Sequence, residues 1–324
     1  MSERDAWQPT ASLAALKSRA QQLAWVRGFF ARRGLLEVET PVLGRFGVTD
    51  LNIDSVPVSR TPDASGLPAG WLQTSPEYAM KRLLAAGAGD IYQVARVFRN
   101  GERGARHNPE FSLLEWYRTG FDDTDLMAEV ADLVCGWLEC DRPVTLRYGE
   151  AMRRFAGVDP FAASDAELRA LCRDWMPPES LSGLLRDECL DLLMSFRVEP
   201  QLAQIGPVFI TGYPESQAAL ARISQVDGVC QAHRFELYID GLELCNGYWE
   251  LTDAAEQRAR FDSDNLARRQ AGRPEMPVDE ALLAAMTSGV PDCAGVALGL
   301  DRLLMLKLGH RDIADVLAFP GERA

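Results

Sequence analysis

The feature that most constrains the fold of this sequence is a two-residue turn signal, Asp240-Gly241, between two strand-like segments. Aspartate followed by glycine suits the positive φ angles of a tight β-hairpin, and residues 234–239 and 242–251 on either side have the pattern of strands. We therefore predict an antiparallel hairpin over residues 234–251. A hairpin of this kind favours a protein built on an antiparallel sheet.

A polar loop joins a second pair of predicted strands. Residues 91–99 alternate as a strand does, residues 100–109 are polar, and residues 111–117 again have the pattern of a strand. Apolar spacing and stop signals predict helices at 11–33, 72–84, 122–139 and 253–271, a helical insertion over 150–200, and a strand that runs into a helix at 295–308. We expect one mixed α+β domain over residues 1–324, with an antiparallel sheet flanked by helices.

Composition limits the classes of function. The sequence is 47% hydrophobic and 25% charged, which is typical of a folded globular protein. It has no apolar run of the length that crosses a membrane and no apolar signal segment at its start, so we expect a cytoplasmic protein. Seven Cys without a CxxC pair and three His favour neither a zinc site nor a disulfide framework. The formal charge of -13 argues against a partner held mainly by phosphate contacts.

Two carboxylates of the predicted hairpin are placed for a cation. With Asp240-Gly241 as the turn, Tyr238 opposes Glu243 and Glu236 opposes Cys245. Glu236 and Glu243 then share a face as diagonal neighbours, about 7 to 8 Å apart. Carboxylate oxygens are ligands that Mg²⁺ prefers in nucleotide sites, although a solvated acidic strand face explains this hairpin equally well.

Glu250 shares this face only if the strand is irregular. It lies seven residues after Glu243, and this odd separation points it to the other face in a regular strand. A bulge at Asn246-Gly247 would return it to the face of Glu243.

The loop region from Arg99 to Tyr117 forms a second cluster. Arg99 ends one predicted strand, and Glu115 and Tyr117 have the same parity on the next strand and so share a face. A guanidinium suits phosphate and carboxylates suit an ammonium group, while Phe111 offers a flat surface for a base. A third cluster is the glycine-rich segment 295–302, in which glycines let a ligand approach the backbone and Arg302 begins a helix.

Three ordered segments resemble the motifs of class II aminoacyl-tRNA synthetases. Residues 28–43 resemble motif 1, residues 98–115 resemble motif 2, and residues 295–303 resemble motif 3. Ser75-Pro76-Glu77, residues 234–236 and residues 243–250 are similar to the lysyl type, so the resemblance covers the chain from about residue 11.

Within that family the chain is most similar to short paralogues of lysyl-tRNA synthetase. Little sequence precedes motif 1, so we expect no anticodon-binding OB domain. The resemblance implies a homodimer through the motif 1 region that uses ATP and Mg²⁺ to activate (R)-β-lysine and transfers it to a lysine of elongation factor P, with no tRNA and no membrane. A free-standing lysyl synthetase core and a non-catalytic binding paralogue are the alternatives.

The resemblance also implies roles for individual residues. Arg99, Glu243 and Arg302 would be catalytic, and Glu236 and Glu243 would hold Mg²⁺. The implied nucleotide-binding residues are Arg99, Asn100, Gly101, Glu102, His107, Asn108, Phe111, Glu243, Leu244, Gly299 and Arg302. The implied residues for the amino acid are Ser75, Pro76, Glu77, Glu115, Tyr117, Asn246, Glu250 and Ala297.

Three positions depart from the lysyl synthetase pattern. Ser75 replaces the usual Ala and Ala297 replaces the usual Gly, and both changes suit a substrate with a shifted amino group. Gly101 occupies a loop position where the family usually has Glu, and Glu102 follows it.

Overall fold

The structure is a computed structural model that describes residues 7–59 and 70–324. The strands are β1 (Leu36–Glu37), β2 (Leu43–Gly44), β3 (Pro57–Val58), β4 (Gly70–Leu72), β5 (Ile91–Phe98), β6 (Glu110–Thr119), β7 (Val144–Arg147), β8 (Val208–Pro214), β9 (Ile223–Val226), β10 (Val229–Ile239), β11 (Leu242–Trp249) and β12 (Cys293–Gly299). The helices are α1 (Leu13–Arg33), α2 (Glu77–Ala85), α3 (Asp123–Leu138), α4 (Tyr148–Ala151), α5 (Asp165–Leu171), α6 (Pro178–Leu181), α7 (Arg186–Leu193), α8 (Glu199–Leu202), α9 (Ala254–Gln270), α10 (Glu280–Gly289) and α11 (Leu300–Leu308).

The chain divides into two compact units. The first unit comprises Met1–Gly120 and Thr252–Ala324, and the second comprises Phe121–Leu251. In the first unit, β1, β5, β6 and β12 lie side by side in that order, with β1 parallel to β5 and the other pairs antiparallel. A smaller antiparallel sheet has the order β2, β4, β3.

The second unit is built on strands in the order β11, β10, β8, β7, and β9 also pairs with β10. The β7–β8 pair is parallel, whereas β10 is antiparallel to β8, β9 and β11. Helices α4 to α8 cover residues 148–202, so the helices predicted over 150–200 are present. The mostly antiparallel strands with flanking helices confirm the predicted α+β class.

Helix α1 has the boundaries that its sequence favours. The Ser12 hydroxyl accepts a hydrogen bond from the N–H of Ala15 at 3.1 Å, and Gly34 ends the helix with φ 75. A left-handed residue at this position is the common way for a helix to end, and glycine adopts it without steric cost. The buried face includes Phe30, whose ring stacks on Tyr92 with centroids 4.5 Å apart. This face fixes the helix against β5.

The predicted hairpin is present as β10 and β11. Asp240 and Gly241 have φ angles of 53 and 69, the pair of positive values that a two-residue type I′ turn requires. The strands, loop and helices predicted at 91–139, 253–271 and 295–308 are also confirmed, with ends shifted by a few residues. Across the described ranges, no helix combines the length and apolar content needed to cross a membrane.

Candidate active site

In the first unit, the register of two strands gathers predicted substrate residues on one face. Glu115 on β6 lies opposite Ala297 on β12, and Tyr117 lies opposite Gly295. Paired residues of neighbouring strands point to the same face, so the predicted common face of Glu115 and Tyr117 is confirmed. Each of these two residues is only 2% exposed. Ala297 packs beside them against the small apolar cluster that includes Leu113.

Arg99 lies just beyond β5 and faces Phe111. Its guanidinium carbon is 5.1 Å from the centroid of the Phe111 ring, and its Nη1 is 3.5 Å from Oε1 of Glu102. The Nε atom of Arg99 is buried and donates no hydrogen bond to the described residues. A buried donor of this kind is costly unless a ligand accepts from it, and a phosphate or carboxylate oxygen is the natural acceptor.

Arg302 and His107 form a second contact in this unit. The Nη2 atom of Arg302 donates to Nε2 of His107 at 2.8 Å, because a guanidinium can only donate. Partial burial, followed by the positive charge of Arg302, lowers the pKa of His107 below its usual value. His107 is therefore held as a neutral acceptor beside the arginine.

Asp301 is a positioning residue for which the sequence analysis gave no role. Its side chain is 1% exposed, pairs with Arg19 of α1, and accepts the N–H of Ser112 on β6 at 2.7 Å. These partners fix the first turn of α11 against β6, and Arg302 is the next residue along that turn. The only signal in the sequence is that a charged pair, 301–302, stands at a predicted helix start. That signal does not identify Ser112, which is 189 residues away, as a partner of Asp301.

Other predicted nucleotide residues lie around the loop that follows β5. Asn100 and Gly101 are exposed, and Gly101 has φ 78. The amide of Asn108 is used within the fold, because Nδ2 donates to the carbonyl of Glu110 at 2.6 Å and Oδ1 accepts from Gly321 N–H at 2.9 Å. Gly299 is the residue at which β12 passes into α11.

The segment Ser75-Pro76-Glu77 begins helix α2. The Ser75 hydroxyl accepts the N–H of Glu77 at 3.0 Å, a local turn that precedes the helix, whose N-cap residue is Pro76. The Glu77 carboxylate accepts a hydrogen bond of 2.7 Å from Lys81, a lysine that is 1% exposed. Glu77 thus compensates a buried ammonium group one helical turn away.

In the second unit, the hairpin register differs from the predicted one at one pair. Tyr238 opposes Glu243 as expected, but Glu236 opposes Asn246 and not Cys245. The register shifts between Leu237 and Tyr238, where β11 contains the extra residue Leu244. The bulge is therefore at Leu244 and not at Asn246-Gly247, and it still places the three carboxylates at 236, 243 and 250 on one face.

The Glu236 carboxylate is surrounded by donors. Oε2 accepts from Tyr213 at 2.5 Å and from Tyr238 at 2.6 Å, while Oε1 accepts from Arg234 and from Asn246 Nδ2 at 3.2 Å. Burial, followed by the charge of Glu236, raises the pKa of both tyrosines well above the usual value, so both phenols remain donors. The carboxylate is held in one orientation by four partners.

Asn246 presents an acceptor on this face. Because its Nδ2 donates to Glu236, its Oδ1 points away from that carboxylate, and this oxygen is buried with no hydrogen bond to the described residues. Glu243 is partly buried, and Leu244 is 2% exposed. Within residues 7–59 and 70–324, no group of three or more His, Cys, Asp or Glu side chains is arranged to hold a metal ion.

A short segment before β9 holds the backbone around Glu250. Arg222 N–H donates to the carbonyl of Trp249 at 2.9 Å, and Leu251 N–H donates to the carbonyl of Leu220 at 2.9 Å. The Nε atom of Arg222 donates to the carbonyl of Glu250 itself at 2.8 Å, and the guanidinium lies 4.6 Å from the Trp249 ring. Glu250 is 1% exposed. We call these bonds from residues 220–222 to the backbone of residues 249–251 the backbone clamp. The sequence analysis did not predict it, because no sequence pattern links Arg222 to Glu250.

By chemistry, the first unit carries one arginine beside a phenylalanine ring and another beside a neutral imidazole, and the second carries an oriented carboxylate and an unsatisfied amide oxygen. Residues 6–323 match the family model of the class II tRNA synthetases (D, K and N). A relative from Mannheimia succiniciproducens named elongation factor P–(R)-β-lysine ligase is 49% identical over 98% of both chains.

Proteins of the same name from Pasteurella multocida and Edwardsiella ictaluri are each 48% identical over 100% of both chains. Both the family match and these identities extend over nearly the whole sequence, which includes every segment that carries the predicted site. The chain belongs to the family of class II tRNA synthetases (D, K and N).

Proposed function

We propose that this protein is an AMP-forming ligase that activates (R)-β-lysine with ATP and transfers it to the ε-amine of a lysine of elongation factor P. One observation carries the proposal: relatives with this name match the chain over 98% to 100% of both lengths at 48% to 49% identity. These names favour neither a free-standing lysyl synthetase core nor a non-catalytic paralogue.

Arg99 and Arg302 bind and neutralise the polyphosphate in this proposal. In-line attack of a carboxylate on the α-phosphorus requires positioned reactants and compensated charge more than a proton donor. The buried Nε of Arg99 supplies a donor for an α-phosphate or substrate carboxylate oxygen, and Phe111 beside it supplies a ring for adenine. Neutral His107 keeps Arg302 in place without adding a second charge.

Glu236 and Glu243 are the proposed magnesium ligands. Their shared face and oxygen donors suit this ion, which when bound would compensate phosphate charge. Oε1 of Glu236 already accepts from Arg234 and Asn246, so a magnesium ion that binds this oxygen must replace one of these two donors. The neutral amide of Asn246 is easier to release than the guanidinium of Arg234.

The amino acid is recognised at its charged ends. We assign the distal ammonium to Glu115, Tyr117 and Glu250, which are at most 2% exposed, because buried carboxylates discriminate strongly for a cationic group. Glu77 and Asn246 are assigned to the end that reacts, with Ser75, Pro76 and Ala297 around it. Motif 1 would form a homodimer contact, and the site of action would be the cytoplasm.

Two assays in sequence test the proposal. ATP-pyrophosphate exchange with a panel of lysine isomers should show the fastest exchange with (R)-β-lysine. Labelled (R)-β-lysine should then appear on elongation factor P and should be absent when its acceptor lysine is replaced by Arg, whose guanidinium stays protonated and cannot attack. Efficient labelling of lysine tRNA with no label on the protein would refute the proposed acceptor.

A further inference from the structure

Three side chains of the second unit, none of which has a role in the proposed ligase, form a continuous hydrogen-bonded chain. Ser224 on β9 lies with its Oγ 2.8 Å from Nε2 of His233 on β10. The Nδ1 atom of the same imidazole is 3.2 Å from Oδ2 of Asp123, the first residue of α3. Hydroxyl, imidazole and carboxylate are thus joined in the order of a nucleophile, a base and a group that orients the base.

The carboxylate determines the direction of these hydrogen bonds. Asp123 can only accept when ionised, so Nδ1 of His233 carries the hydrogen that it donates. The neutral imidazole then has its lone pair on Nε2, and the Ser224 hydroxyl donates to it. This tautomer is the one in which imidazole can remove a proton from serine.

The surrounding structure orients the imidazole and leaves the chain of side chains accessible. Ser224 pairs with Gln231 across β9 and β10, so Ser224 and His233 are diagonal neighbours on one face. The His233 and Trp249 rings pack nearly perpendicular to each other with centroids 5.0 Å apart. The side chains of His233 and Asp123 remain 24% and 20% exposed, so a small reagent reaches them.

The position of β9 provides donors for a developing negative charge. Among the strands of the described ranges, β9 pairs only with β10. Alternate backbone N–H groups along an edge strand point away from its partner and are open to a ligand. Such groups beside a nucleophile can stabilise the oxyanion of an acyl intermediate.

We propose that Ser224 is an activated nucleophile that accepts an acyl group from activated acyl esters and returns it to water. The Ser224 oxygen bonds to the acyl carbon while its proton passes to Nε2 of His233, and the ester oxygen then leaves and takes that proton. Water attacks the resulting serine ester with the same imidazole as base, which releases the carboxylic acid and restores the hydroxyl. No oxidant or further reactant is needed.

The test uses the full chain with p-nitrophenyl acetate and with diisopropyl fluorophosphate. Wild type should release p-nitrophenol and gain one phosphoryl adduct that peptide mass analysis places on Ser224. Ser224→Ala should remove the adduct, and Asp123→Asn should slow both reactions by roughly 10² to 10⁴-fold because the imidazole tautomer is no longer fixed. Ser216 is a matched control, since its hydroxyl donates to Asp187 at 2.7 Å without an imidazole.

The outcomes separate activation from nonspecific reactivity. Ser216→Ala should react as wild type does, and pyrophosphate exchange should be unchanged in Ser224→Ala, which shows that the variant is folded. Equal rates in wild type, Ser224→Ala and His233→Gln, or an adduct that maps to another residue, would overturn the proposal.

Discussion

Replacement of Arg222 by Gln tests whether the backbone clamp around Glu250 sets recognition of the substrate ammonium. The change removes the 2.8 Å bond from Nε to the Glu250 carbonyl and the stack at 4.6 Å over Trp249. A hydrogen bond from a charged donor contributes roughly 1.5 to 3 kcal/mol and an exposed cation–π contact about 0.5 to 1 kcal/mol. The backbone bonds at Trp249 and Leu251 remain, so only part of this energy is lost.

We expect a loss of about 1 to 2 kcal/mol in substrate binding, which corresponds to a KM for (R)-β-lysine raised by about 5- to 30-fold. The KM for ATP and the value of kcat should change little, because the Arg222 side chain bonds to Glu250, the residue proposed to hold the distal ammonium, and stacks on its neighbour Trp249. The assay is pyrophosphate exchange with each substrate varied in turn.

Arg197→Gln is the matched control for this experiment. Arg197 lies in the same unit, with its guanidinium 5.1 Å from the Trp175 ring and 3.3 Å from Asp174, and none of its described contacts involves Glu250. An unchanged KM for (R)-β-lysine in Arg222→Gln, or an equal rise in Arg197→Gln, would refute the reasoning.

Three further substitutions have defined outcomes. Glu243→Gln should abolish pyrophosphate exchange while the circular dichroism spectrum is retained, since an amide is a poorer magnesium ligand; exchange at ordinary Mg²⁺ would contradict the assignment. Ala297→Gly should shift the ratio of kcat/KM values towards α-lysine by roughly 1 to 3 kcal/mol, and an unchanged ratio would place selectivity elsewhere. Burial raises the pKa of Asp264 to about 6. The wild type should therefore lose stability relative to Asp264→Asn as the pH rises from about 4 to 6. Above that range, the difference in denaturant midpoint between the two proteins should stay constant.

Local signals in the sequence were sufficient for the parts of the fold that depend on a few neighbouring residues. Asp240-Gly241 defines its turn because both residues tolerate positive φ, and Gly34 ends α1 for the same reason. The common face of Glu115 and Tyr117 follows from the two-residue period of a strand. Each of these features is determined within a few residues along the chain.

The position of the bulge could not be predicted, because it depends on packing across the hairpin. Gly247 suggested an irregular strand, but the structure shows a different use for it. A Cβ atom at Gly247 would collide with the ring of Phe235, which lies opposite in the register. The glycine accommodates an aromatic ring, and the extra residue is Leu244, whose sequence context has no turn signal.

Contacts between distant segments were equally inaccessible to sequence reasoning, and they decide how the site residues are held. Asp301 reaches Ser112 across 189 positions, and His233 reaches Asp123 across 110. Glu236 and Glu77 are both glutamates that the sequence assigned to the site, but their partners differ. The Glu236 carboxylate accepts from two phenols, an amide and a guanidinium, whereas the Glu77 carboxylate is paired with the buried Lys81. Residue type indicates which chemistry is possible, and the partners decide which carboxylate performs it.

The residues around Arg302 orient its guanidinium without neutralising its charge. A protonated imidazole at position 107 would repel the guanidinium and could not accept its hydrogen, so the contact at 2.8 Å exists only while His107 is neutral. Burial and the arginine charge both lower the pKa of His107, which keeps the imidazole neutral down to a lower pH than is usual for histidine. Asp301 holds the adjoining turn by its bonds to Arg19 and Ser112 without lying against the same imidazole. Arg302 is thereby oriented by a neutral side chain and by a buried anchor one residue away, an arrangement that fixes its direction and preserves its positive charge for an anionic substrate.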